Sequence, residues 1–519
     1  MKSTTLTCIT AMTLFAAFAV PVLLTAQDSQ DGKGQHHHYK LIDLGTLGGP
    51  NSFVTFPETN TITARGTVIG EADTSTPDPY MPNCLQSDCL VNHSFLWRDG
   101  VRVDLGALPG VNNSIPLWIN SHGWVVGASE NGAIDPLTGL PEVDAVLWRD
   151  GQIVNLGTLG GNGSAANALN NHGQVVGGAL NTVADPFSAT FTQFFTPFTP
   201  GFFFFSVATQ AHAFLWQNGV MQDLGTLGGP DSVAWFVNDR GQVVGQSSVN
   251  DNPNPTTGVP TVDPFFWKDS KMVDIGSLGG DFGWPFALNN RGDVVGAMFL
   301  SGDSAFHPFL WRHRVLQDLG TFGGDFGIAN TINDVGEVVG WASNQGNAAV
   351  FASRWKNGHI ANLGTVDGDP CSVANGINTQ GQIVGESSPS CFSSNANHAV
   401  LWEGDLRGVD LNALIGPGAG MQLAVAFSIN ERGEINGNGL LPNGNQHAFL
   451  LIPCDENHVD VEDCDQARVD ASESQLVPRS LQSLPAPLGK GGVLTGFRNQ
   501  LFNRLALGSG GSRDESPKQ

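Results

Sequence analysis

The chain has 519 residues, with 48 acidic against 24 basic side chains and a formal net charge of −24. Such a surface repels phosphate backbones and anionic headgroups, which argues against nucleic acid or an anionic membrane as a partner. Charged residues make up only 14% of the chain and glycine is abundant, at 66, so the imbalance reflects scarce Lys and Arg, and the composition favours short strands and tight turns.

Residues 1–26 have the layout of a secretory signal peptide: Lys2, an apolar run from Leu14 to Leu24, and a small residue, Ala26, at the cleavage position. The run is shorter than the ~20 residues that span a bilayer. Cys8 precedes it, which argues against a lipid anchor. Residues 27–38 read as a flexible linker. Within it His36, His37 and His38 read as solvated, because consecutive side chains on a strand do not converge on one metal. The mature chain is expected to be extracellular or held in the cell envelope, with no transmembrane segment. Six cysteines remain after cleavage, in local pairs: Cys84 with Cys89, Cys371 with Cys391, Cys454 with Cys464. An even number in an exported chain predicts disulfides.

From residue 39 to 453 three elements recur in fixed order. The IN..G.VVG element ends at Gly70, Gly127, Gly177, Gly245, Gly296, Gly340, Gly385 and Gly437. The HAFLW element ends at Trp97, Trp148, Trp216, Trp267, Trp311, Trp355, Trp402 and, degenerate, at Leu451. The DLGTLGG element starts at Asp43, Asp104, Asn155, Asp223, Asp274, Asp318, Asn362 and Asp410. Each repeat reads as four short strands: a runs into Ile-Asn, b is the VVG stretch, c is HAFLW and d is VxDLG. Asn-x-x-Gly turns a into b, and Asp-Gly or Asn-Gly often turns c into d. Four antiparallel strands in as few as 44 residues have the size of one propeller blade.

The eighth copy lacks a d strand, whereas the chain starts with a spare one, YKLIDLG at 39–45. Pairing the two removes a sheet edge. The expectation is therefore all-β: an eight-bladed β-propeller of four-stranded blades, its ring closed by the N-terminal strand, with a parallel β-helix as the alternative.

These three motifs resemble those of HAF-type bacterial extracellular repeat proteins over roughly residues 39–453. The resemblance implies export and repeats, and no activity. Departures are Phe351 at the His position and Asn155 and Asn362 at the Asp position.

The His position reads His93, Asp144, His212, Asp263, His307, Phe351, His398, His447. A group repeated in every unit and exchanged for Asp or Phe is structural, satisfying backbone groups within its repeat. The Asp of DLG is expected to accept a backbone N–H at the glycine turn, and the Trp residues to pack between repeats. No GxSxG, HExxH, phosphate loop or calcium loop occurs, so no catalytic, cofactor or metal residue is nominated. The Asp-bearing stretches 249–255 and 366–370 read as solvated loops.

Function on a repeat scaffold sits where the repeat is broken. The b–c connections of the first four copies are long, near 71–92, 128–143, 178–211 and 246–262, and are expected to crowd half of one face. The third carries Phe187, Phe191, Phe194, Phe195, Phe198, Phe202, Phe203, Phe204 and Phe205, a candidate contact loop for a partner. Residues 454–519 read as a disulfide clip and a mostly disordered tail. The expected function is a non-enzymatic binding or structural module presenting a loop-rich face to a protein or glycan. The alternatives are a secreted glycan-active enzyme and an envelope component that self-associates through the Phe-rich loop.

Overall fold

The structure is a computed structural model; it describes residues 35–470 except 55–59, 82–83, 85–87, 137–138, 188–208, 255–259, 392–397, 405–406, 417, 459–460, 462–463 and 465–467. The signal peptide, residues 471–519 of the tail, and Phe191 through Phe205 lie outside the described residues. The described chain is nearly all β-strand, arranged as four-stranded antiparallel units.

In the first unit, a is Gly48–Phe53, b Val68–Pro77, c Leu90–Arg98 and d Val101–Gly106, paired in that order. The same order recurs along the chain. Single parallel bridges, Val262 with Phe282 and Phe306 with Phe326, stitch the fourth unit to the fifth and the fifth to the sixth. The last unit has a, b and c at Gln422–Ile429, Ile435–Leu440 and Gln446–Pro453, and its fourth strand is Tyr39–Asp43 from the other end of the chain.

Turn chemistry explains the punctuation. The a–b glycines, from Gly66 to Gly433, all lie at positive φ between 67° and 92°. At the c–d turns both central residues are left-handed, as at Asp99 (50°) and Gly100 (81°) or Asn218 (53°) and Gly219 (86°), the geometry of a type I′ hairpin. Asp269-Ser270 and His313-Arg314 adopt it without glycine.

The glycine of VVG has a different role. Strand a bulges opposite it in the second to eighth units. The bulge drives a carbonyl so close that a Cβ on Gly245 would stand 2.0 Å from the Val233 oxygen, with the same clash at Gly127, Gly296 and Gly385. The Phe of HAFLW lies over this glycine, Phe265 over Gly245 and Phe309 over Gly296. Only a residue without a side chain fits between a bulge and a ring.

The Trp residues join successive units, as expected. Trp216 shares a core with Val126 and Leu147 of the preceding unit, and Trp402 with Val339 and Ala352. Trp97 of the first unit packs with Phe427, Ala448 and Leu450 of the last.

The three disulfides form as paired in the sequence: Cys84–Cys89, Cys371–Cys391 and Cys454–Cys464. The linker reading needs correction at its end. Gln35–His37 is a strand paired with Arg468–Asp470. His36 is buried, its Nδ1 2.9 Å from Glu403, and Cys454 N donates to the His38 carbonyl. This stretch is anchored because it runs straight into the strand that completes the last sheet. Among the described residues no helix is long and apolar enough to cross a membrane.

Candidate functional site

Because strands alternate, each unit has its a–b and c–d turns at one end and its b–c and d–a connections at the other. The two ends are built differently.

At the turn end, the Asn of each Asn-x-x-Gly does two jobs. Asn238 Oδ1 accepts the N–H groups of Arg240 and Gln242 at 3.0 and 3.1 Å, closing its own turn. Its Nδ2 donates to the Asn289 carbonyl of the next unit at 3.0 Å. The same step links Asn120 to Asn170, Asn170 to Asn238, Asn289 to Asn333, Asn333 to Asn378 and Asn378 to Asn430. Asn430 then donates to Thr63 of the first unit at 2.9 Å. Thr63 has no amide to pass the chain on; Asn60 donates to Ile119 at 2.7 Å instead. The sequence reading found the turn bond and missed the bond between units. Strands a and this ladder surround a cavity of about 500 Å³, lined by Trp118, Asn170, Asn238, Asn330, Asn375 and Asn430 among others. Asn375 Oδ1 is buried there without a hydrogen-bond partner.

The His of HAFLW departs from the expected backbone role. His93, His212, His307 and His447 each bring Nδ1 within 2.8–3.1 Å of the DLG carboxylate of the same sheet: Asp104, Asp223, Asp318 and Asp43. That carboxylate also accepts the N–H two residues on, as Asp223 does from Gly225 at 2.7 Å, the turn bond the sequence predicts. Burial raises the pKa of these four Asp, and the His and Gly hydrogen bonds more than offset it, holding them below the usual value. Where Asp144 replaces His, Asn155 replaces Asp and donates to it at 2.6 Å. The exchange at 144 and 155 is thus a coupled swap of donor and acceptor, whereas Phe351 opposite Asn362 is not. Asp263 faces Asp274 with no such swap, and burial together with Asp274 and Asp281 pushes it up to about 7. His398 also departs: its Nδ1 meets Asp369 at 2.9 Å rather than Asp410, and Asp410, buried, rises above its usual value.

The other end carries the long b–c connections, and much of their length is strand. In the first four units b runs for 10, 10, 10 and 11 residues, as in Val243–Pro253, against 7, 7, 6 and 6 in the last four. Three of the four extended hairpins are clasped by a carboxylate–amide pair to the start of strand a in the following unit, the fourth hairpin through Asn254 and Asp281. Asp78 accepts from Asn113 at 2.9 Å, and Asp135 from Asn162 at 3.1 Å. At the third hairpin the donor is missing: Asp231 stands where Asn113 stands, opposite Asp185 at the foot of the Phe-rich insertion. Asp231 Oδ1 accepts Ala211 N–H and Asp185 Oδ1 accepts Phe187 N–H, at 2.9 and 3.0 Å, so both feet of the insertion are tied to this pair. Burial and the Asp185 charge push Asp231 up to about 8. Burial similarly takes Glu130, which also accepts from Asn113, up to about 7. Glu130 and Asp231 are thus held in place at the feet of the hairpins by backbone or amide donors. The clasps join b–c to d–a connections, which places all four hairpins at the same end of their sheets.

No family model matches the chain, and no curated protein does. Among solved structures it is similar to an acylaminoacyl peptidase from Pyrococcus horikoshii, at 10% identity and a TM-score of 0.39, covering 75% of this chain and 57% of that one. It is similar to the β-propeller domain of the Trilobed protease from Pyrococcus furiosus, at 9% identity and a TM-score of 0.38, covering 69% and 95%. It is also similar to a family PL25 ulvan lyase, at 10% identity and a TM-score of 0.34, covering 80% and 95%. The chain therefore spans little more than half the length of the acylaminoacyl peptidase. One of these three is named as a β-propeller domain.

Proposed function

We propose that this is an exported HAF-type repeat protein, an eight-bladed closed propeller that uses its hairpin-bearing end as a non-enzymatic binding face for a protein or glycan. The observation that carries the reading is the set of four long hairpins, Val68–Pro77 to Val243–Pro253, three of them clasped, next to four short ones. Extra strand length costs ordering entropy, and the core formed by the Trp residues does not need it. Ring closure is supported by the Tyr39–Asp43 pairing, by Trp97 against Phe427, and by the amide ladder passing from Asn430 to Thr63. Export is supported by the signal-like start and three disulfides, which belong to oxidising compartments.

Catalysis at this face is less favoured because two of its shifted acids, Glu130 and Asp231, are buried and occupied by backbone or amide donors. The test applies residues 27–519 to a panel of soluble and insoluble polysaccharides, measuring protein bound and sugar released together. Binding without release, weakened by deleting 187–205, supports the reading. Release of sugar refutes it.

A further inference from the structure

The seventh unit breaks the His–Asp rule of its neighbours, and the break gathers ligating groups. Ligand atoms of Asp367, His398 and Asp410 lie within 4.8 Å of one another. Behind them Asp369 takes His398 Nδ1 at 2.9 Å, and both side chains are almost fully buried, at 5% and 3% exposed. In the four sister units the same His nitrogen goes to the DLG carboxylate. Here that carboxylate, Asp410, is turned to Asn412 instead, accepting its N–H at 2.9 Å. Asp367 is exposed in the turn that follows strand d of the sixth unit. Three carboxylates around one imidazole leave a surplus of negative charge.

We propose that Asp367, His398 and Asp410 form a site for a divalent transition-metal ion of the Zn²⁺ class, with Asp369 as the positioning residue behind the imidazole. The chemistry selects the ion. A carboxylate on one ring nitrogen fixes the neutral tautomer and makes the imidazole a better ligand, the usual second layer of a His–metal site. Imidazole with carboxylates suits Zn²⁺, whereas Ca²⁺ and Mg²⁺ prefer all-oxygen sets. Zn²⁺ bonds of about 2.0–2.2 Å require the three groups to draw closer together. Asp367, exposed on a turn, is the one with room to move. With three protein ligands the fourth position of a tetrahedral ion faces outward, open to water or to a donor group from a partner. The site lies at the same end of the sheets as the long hairpins but in the seventh unit, and it uses none of the hairpins' residues, so either assignment can fail alone.

The test uses the full mature chain, stripped with EDTA and dialysed, with disulfides intact. Zinc uptake is followed by calorimetry and by metal analysis of the protein after gel filtration, with Co²⁺ absorption as a report on the ligand set. Wild type is expected to bind one zinc that is lost in H398Q and weakened at least tenfold in D367N; D369N should weaken it about 10–100-fold. D367N alters an exposed side chain, so it remains informative if H398Q fails to fold. Joint substitution of His37 and His38 should leave the stoichiometry unchanged. Zinc that stays at full affinity in D367N or in folded H398Q overturns the site, as does zinc lost only with His37 and His38, or a wild type that takes up none.

Discussion

Asn238 offers the sharpest test of what joins one unit to the next. N238A removes the acceptor for two turn N–H groups and the donor to the Asn289 carbonyl. With the bond to the Gln242 side chain also lost, four hydrogen bonds at about 1 kcal/mol net each make the loss about 4 kcal/mol. N238D separates the two jobs. Its carboxylate still accepts both turn N–H groups, and the Gln242 amide, now bonded to Asn238 at 2.6 Å, can rotate to donate to it. Only the bond between units is lost, and a negative charge is set against the Asn289 oxygen. Burial raises the folded pKa of the introduced acid above its unfolded value of about 3.9. Protonation restores a donor, so stability is fully present below the unfolded pKa and lost as pH rises through the folded one. Urea denaturation at pH 4 and pH 7, followed by tryptophan fluorescence, should show the N238D deficit against wild type shrinking at pH 4 and that of N238A unchanged. Equal deficits for both variants at both pH values would refute the role of Asn238 as a link between units.

Three further outcomes follow from the same geometry. G245A forces a Cβ to within 2.0 Å of the Val233 oxygen and should cost about 3 kcal/mol or prevent folding. G219A, at φ 86° with open space around it, should cost only about 1 kcal/mol; soluble yield and melting temperature compare the two. D231N recreates the Asn113 clasp opposite Asp185. Because Asp231 is raised to about 8, wild type should lose stability as pH climbs through 8, while D231N stays level and gains about 1–3 kcal/mol there. A D231N melting temperature that falls in parallel with wild type from pH 7 to 9 would count against that clasp. Asp43, Asp104, Asp223 and Asp318 are held below their usual value, so their contribution is present above pH 3.8 and lost as pH falls through the lower folded value. H212A, which leaves burial and the Gly225 bond acting on Asp223, should be less stable than wild type at pH 7, with the gap narrowing as pH falls below 3.8.

The repeating frame was legible because it is written in local rules. Asn-x-x-Gly and Asp-Gly specify turns within a few residues, HAFLW and VVG alternate as strands do, and the cysteine pairs lie close in sequence. The spare d strand at Tyr39–Asp43 pointed to its partner because one motif was missing from the other end. What stayed hidden depends on the neighbouring unit. The turn role of Asn238 is local, whereas its bond to Asn289 spans 51 residues. The fixed glycine of VVG read as turn-prone composition until the bulged carbonyl opposite it appeared. The exchange of His for Asp at 144 and of Asp for Asn at 155 looked like two tolerated losses, though aligning the two columns shows them changing together. Asp367 and Asp369 looked like solvent-facing acids because nothing in their own stretch signals that His398 folds back between them.

Tyr39–Asp43 leaves the ribosome more than 400 residues ahead of Gln446–Pro453, its partner. For more than 400 residues of synthesis the last sheet cannot exist, and the leading strand stays an unsatisfied edge. Final assembly is therefore timed by the tail of the chain. A product truncated anywhere before Gln446 cannot complete its last sheet, whatever the quality of its earlier repeats. Completion of the fold can thus be all-or-none in a protein whose units repeat one pattern.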